Sequence, residues 1–131
     1  MTKNEDLKIE SEMLEVIFNI VKSKSTHNFK SKLCGDLTCE RIDDNKFSIA
    51  WYDESGGSFI CDPKMVFERI DKNSFNFVEM VYNRSPFYPR IVADVATENE
   101  VKYAVDYWKR WEVMLPNQGY EIVKNDNVKD V

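Results

Sequence analysis

Asp62 and Glu68, two carboxylates on either side of Pro63-Lys64-Met65-Val66-Phe67, are the residues whose types most directly invite chemistry. Paired carboxylates can hold a divalent cation, and crowding them raises one pKa toward general-acid use. The competing reading is structural. An aspartate before proline accepts backbone N–H bonds and fixes a turn or bulge, and no third ligand stands at a useful spacing. His27, Cys34, Cys39 and Cys61 are residue types of a tetrahedral zinc site, with Cys34 and Cys39 at a usual ligand spacing. Cys61, however, lies in the apolar triplet Phe59-Ile60-Cys61, and cysteine packs readily as a small core residue. A thiol with His27 would make a nucleophile pair, but nothing in the sequence brings the two together. Neither a metal nor a cofactor is expected, and the balance leans away from an enzyme.

Two other sets could bind. Tyr103, Tyr107, Trp108 and Trp111 interleave with Lys109 and Arg110, a combination able to stack bases. Trp108 and Trp111 fall on an apolar helical stripe, which points to core packing, and the two cations to a solvated face. The segment Tyr82-Asn83-Arg84-Ser85-Pro86-Phe87-Tyr88-Pro89-Arg90 is stiffened by two prolines. Arg84, Phe87, Tyr88 and Arg90 are the types enriched at interface hot spots, so they are the expected partner-binding residues. A plain strand connection with its aromatics tucked over the sheet edge is the alternative. Both readings stand. Gly56-Gly57 lacks the spacing of a phosphate loop, and no nucleophile elbow, paired-histidine motif or helix-turn-helix pattern occurs.

The elements that must position these residues follow from periodicity. Met13, Leu14, Ile17, Phe18 and Val21 predict a helix over 6–23, widened by Leu7 and Ile9, with Glu12, Glu15 and Asn19 facing water. Residues 23–28 then read as a polar exit. Residues 37–42 and 46–52 alternate as strands around a turn at Asp43-Asp44-Asn45, with Phe47, Ile49 and Trp51 on one face. Asp62-Pro63 predicts a bulge or boundary before a strand over 65–70. Phe75 to Tyr82 is another strand whose alternation slips at Val78, which a bulge or burial on both faces would reconcile. Residues 90–95 suggest a last strand. Thr97 and Glu100 have capping-box spacing before a helix ended by Pro116 and Gly119. The expected fold is α+β: N-terminal helix, a mainly antiparallel sheet of four or five strands, and a C-terminal helix packed on one sheet face. One domain spans 1–131, its ordered core 6–123.

That order, with Asp62-Pro63-x-Met65-x-Phe67-Glu68 and Trp111-x-x-x-Leu115-x-x-Gln118-Gly119-Tyr120, resembles a family of small domains encoded largely on plasmids, integrative elements and phages. The likeness covers residues 28–122 and includes Gly56 or Gly57; Lys64 departs from the acidic residue expected after the proline. It implies a setting among mobile genetic elements and carries no activity.

Composition bounds the rest. With 43% apolar and 13% aromatic residues the chain can build a core, and its net charge of −5 disfavours a phosphate-backbone binder. No apolar run reaches membrane-spanning length, and the N-terminus lacks the order of a signal peptide, so a cytoplasmic setting without membrane contact is expected. The expected function is a non-enzymatic protein-binding or accessory module, acting through the aromatic loop or an exposed sheet edge. An Asp62–Glu68 enzyme is the first alternative. A nucleic-acid binder using Arg84, Arg90, Lys109 and Arg110 is the second.

Overall fold

The hydrophobic period switches from helical to alternating and back along the chain, and the backbone follows it. The computed structural model describes residues 8–31, 35–53, 60–82 and 89–122, with backbone alone at 52, 53 and 60–62. The elements are β1 (Lys8–Glu10), α1 (Glu12–Lys24), β2 (Thr26–Phe29), β3 (Leu37–Arg41), β4 (Lys46–Asp53), β5 (Ile60–Asp71), β6 (Ser74–Val81), β7 (Arg90–Val92) and α2 (Glu98–Asn117). The strands form one antiparallel sheet in the order β1-β6-β5-β4-β3-β2, and β7 shares the outer edge of β6 with β1. The α+β class holds, with seven strands in place of four or five.

Both extra strands come from stretches read otherwise in the sequence. The first helix begins at Glu12, because the Ser11 side chain accepts the Leu14 N–H at 3.0 Å and caps it. Ile9 therefore belongs to a strand, buried opposite Phe75. After Lys24 the helix stops on Ser25, held at φ 73, and the chain turns at once into β2. Thr26 and Asn28 face water there, so the alternating signal shrinks to Phe29 and the segment looks like a polar loop.

Three register shifts shape the sheet, one in β4–β5 and two in β5–β6, the last of them between Arg69 and Asp71 beside the hairpin turn. Ala50 pairs Lys64 while Tyr52 pairs Cys61, so Trp51 alone faces both Asp62 and Pro63. The proline sits at the bulge, where its missing N–H costs no ladder bond, and β5 runs on through it. In β6, Phe77 pairs Phe67 but Glu79 pairs Val66, which leaves Val78 as the inserted residue. Its carbonyl accepts the Ala93 N–H at 2.9 Å. The insertion returns Met80 to the face of Phe75 and Phe77, and all three are buried.

Both helices lie on that face. Phe18 of α1 meets the Phe47 ring edge-on at 5.8 Å, and Trp108 of α2 meets Phe67 at 5.3 Å. Trp108 and Trp111 are both buried. Thr97 and Glu100 form the expected capping box, with bonds of 2.8 and 3.2 Å. At the other end α2 runs through Pro116 and stops at Asn117, between the two residues expected to end it. Tyr120 N–H returns to the Leu115 carbonyl at 3.2 Å and Gly119 N–H to that of Pro116 at 3.1 Å, the Schellman arrangement. The Gln118-Gly119-Tyr120 signature is thus a helix stop. Tyr120 is buried behind it; its hydroxyl accepts the Trp51 indole N–H at 2.6 Å and donates to the Gly35 carbonyl.

Gly119 sits at φ +92, and a Cβ there would lie 3.3 Å from Ser31 Oγ. That hydroxyl already donates to the Gln118 carbonyl. Gly119→Ala is expected to cost about 1–2 kcal/mol, from left-handed backbone strain and displacement of Ser31. Urea unfolding checks this, and an unchanged midpoint would contradict it.

Candidate functional site

The residues proposed for chemistry do not converge. β5 is unbroken between Asp62 and Glu68, and six residues of extended chain span roughly 20 Å, beyond the reach of one cation. Glu68 is half-buried in a cross-strand row between Lys46 and Asn76, while the Asp62 side chain lies outside the described residues. Cys39 does stand opposite His27 in the β2–β3 register, a neighbourhood the sequence did not reveal. Its thiol is fully buried and burial pushes its pKa well up, so a thiolate nucleophile is disfavoured. Among the described residues no three His, Cys, Asp or Glu side chains gather to hold a metal ion.

Of the expected partner-binding residues, Arg84, Phe87 and Tyr88 lie outside the described residues. Arg90 opens β7 and pairs with Glu79 at 2.7 Å across the β6–β7 ladder. Lys109 and Arg110 are exposed on α2, but Arg110 lies over the Tyr107 ring at 5.4 Å and Asp106 shares the charge field of both. That face has no uninterrupted run of positive charge.

A concavity lies instead along β2. This strand ends the sheet order, and its only partner among the described residues is β3. The bond from Arg41 N–H to the Ser25 carbonyl, 2.8 Å, sets the phase of that ladder. Alternation then assigns His27 and Phe29 to the exchange with β3, and turns the N–H and C=O of Thr26 and Asn28 toward the open edge. The pleat sends the His27 and Phe29 side chains toward the helix layer, their rings edge-on at 4.5 Å.

Those two rings line a groove of about 1130 Å³ that opens at the edge. Ile20, Ser23 and Lys24 from the last turns of α1 make one wall. Ser31, Gly119 and Glu121 make the other, held in place by the Ser31–Gln118 bond and the positive φ of Gly119. Residues from 20–31 and from the distant stretch 119–121 meet here. No linear motif announces them.

The charges around the groove are uneven. Lys30 is neutralised by Asp36 at 2.6 Å, whereas Lys24 makes no ion pair among the described residues. Burial, and then the nearby Lys24 ammonium, hold the His27 pKa below its ordinary value, so the imidazole is neutral at pH 7. The site offers apolar surface, two outward-facing backbone residues, the Lys24 ammonium and, on the other wall, the Glu121 carboxylate. That is equipment for binding.

Among the described residues no helix is long and apolar enough to cross a membrane. No family model, curated protein or solved structure matches the chain, so no function comes to it by likeness.

Proposed function

We propose that this domain is a non-enzymatic protein-binding module that takes an extended segment of its partner as an added strand along β2. The observation that carries the reading is the outer edge of β2, unpaired among the described residues, beside a groove floored by its own inward side chains. In strand addition, backbone bonds supply affinity, and pockets beneath alternate side chains supply selectivity. Thr26 and Asn28 offer the first, and Phe29 and Ile20 the second. A role as an accessory protein of a mobile genetic element belongs to this proposal through the sequence resemblance alone.

The test uses proline as a selective block. Asn28→Pro removes an N–H that points to the open edge and leaves the β2–β3 bonds of His27 and Phe29 intact. Peptides selected from a displayed random library on the immobilised protein should bind this variant tenfold or more weakly, roughly 1.4 kcal/mol, at unchanged melting temperature. Equal binding to the folded variant would remove the β2 edge as the docking site.

A further inference from the structure

We propose that the β2 groove selects an acidic segment: a partner strand carrying an apolar side chain over Phe29 and, two positions on, a carboxylate beside His27 and Lys24. This assignment rests on the strand-addition reading and adds to it the chemistry of the occupant.

The register supplies the spacing. Because Thr26 and Asn28 turn their backbone groups outward, an antiparallel guest bonds at those two positions. Guest residues opposite His27 and Phe29 then occupy non-hydrogen-bonded pairs, where side chains approach most closely and point into the groove. The guest residue over Phe29 meets an apolar surface shared with Ile20. The one over His27 meets the Lys24 ammonium, which has no carboxylate partner among the described residues.

The groups facing His27 come from each adjoining element. They are Lys24 at the end of α1, buried Cys39 opposite on β3, and Glu121 in the segment after α2, while Lys30 is already spent on Asp36. Of these charges the Lys24 ammonium is the one that acts on His27, so a guest carboxylate placed over His27 would meet it, with the Glu121 carboxylate of the far wall opposing. A second copy of this chain is a poorer guest: antiparallel β2–β2 pairing in the register centred on His27 sets His27 of one copy against His27 of the other and brings no carboxylate there.

The experiment uses alternating valine–threonine octapeptides with glutamate, glutamine or lysine two positions after a central valine, each also made in reversed order. Binding is followed by the amide NMR signals of Thr26 and Asn28. The glutamate peptide should bind about fivefold more tightly than the glutamine peptide at low salt, with the lysine peptide weakest, and the gain should shrink at high salt. Lys24→Ala should abolish the gain. Bound glutamate should also raise the His27 pKa, which the glutamine peptide leaves unmoved, so that its binding tightens as pH falls from about 7.5 to 5.5. Preference for the reversed order would overturn the antiparallel arrangement stated above. Equal affinities for glutamate and glutamine peptides would overturn the acidic selection while the Thr26 and Asn28 shifts still supported strand addition. Saturable binding of any peptide that leaves those two amides unmoved would overturn both.

Discussion

Phe47→Ala should lower the unfolding free energy by about 4 kcal/mol, a large part of the roughly 5–15 kcal/mol that holds a domain together. Phe47 is fully buried near the start of β4, between the sheet and α1. Its ring meets Phe18 at 5.8 Å, Phe67 at 6.0 Å and Phe75 at 5.7 Å, so one truncation strips contacts from a helix and two strands at once. The neighbours are themselves aromatic and held by strand pairing, which limits collapse into the void. Phe47→Leu keeps most of the volume and should cost less than half as much. Urea unfolding of both variants, with an unchanged m-value, measures the difference. A loss below about 2 kcal/mol would show that the cluster relaxes more freely than its packing indicates.

The same cluster shows what could be read in advance. Phe47, Ile49 and Trp51 declare their shared face by simple alternation, and Phe75 and Phe77 do likewise. The slip at Val78 left open a bulge or burial on both faces, and the register shows the bulge. Thr97, Glu100 and Gly119 were legible because capping is local chemistry, settled within a few residues of sequence.

What was missed depends on contacts that only the fold creates. Ile9 extends the helical stripe numerically, yet the Ser11 cap assigns it to β1. β2 alternates over only four residues and exposes two of them, too short a pattern to separate from a loop. Its groove joins residues near positions 20, 28 and 120, so its lining was invisible even though Lys24 and His27 stood in plain view. The sequence did name an exposed sheet edge as a candidate surface, but it had no means of saying which strand would be left at the end. Arg90 shows the converse: its residue type was legible, but its exposed pairing with Glu79 exists only through the β6–β7 ladder.

Glu15 is the buried counterpart of that lesson, and its removal should cost about 3 kcal/mol. Helical periodicity puts it on the water side of α1, but the turn between β5 and β6 folds over it. Its carboxylate accepts Arg69 Nε at 3.0 Å, Arg69 Nη2 at 2.9 Å and the Asn73 N–H at 2.9 Å. Asn73 is held at φ 62, and its carbonyl accepts the Ser11 N–H at 2.8 Å, so helix cap and hairpin turn are tied together. Glu15→Ala leaves the Arg69 guanidinium, only 29% exposed, without its partner, and the Asn73 N–H without an acceptor. Burial pushes the Glu15 carboxyl upward, but the bonds from Arg69 and Asn73 and the guanidinium charge outweigh it and hold the pKa below its ordinary value. The unfolded carboxyl titrates near about 4.3, so its stabilising effect is whole above that pH and drains away as pH falls through the lower folded value. The gap between wild type and Glu15→Gln should therefore be widest near neutral pH and close toward pH 3. Urea unfolding of the two proteins across pH 3–7 measures that gap directly. A constant difference at every pH would mean that Glu15 holds the hairpin by shape alone, and that its charge contributes nothing to the fold.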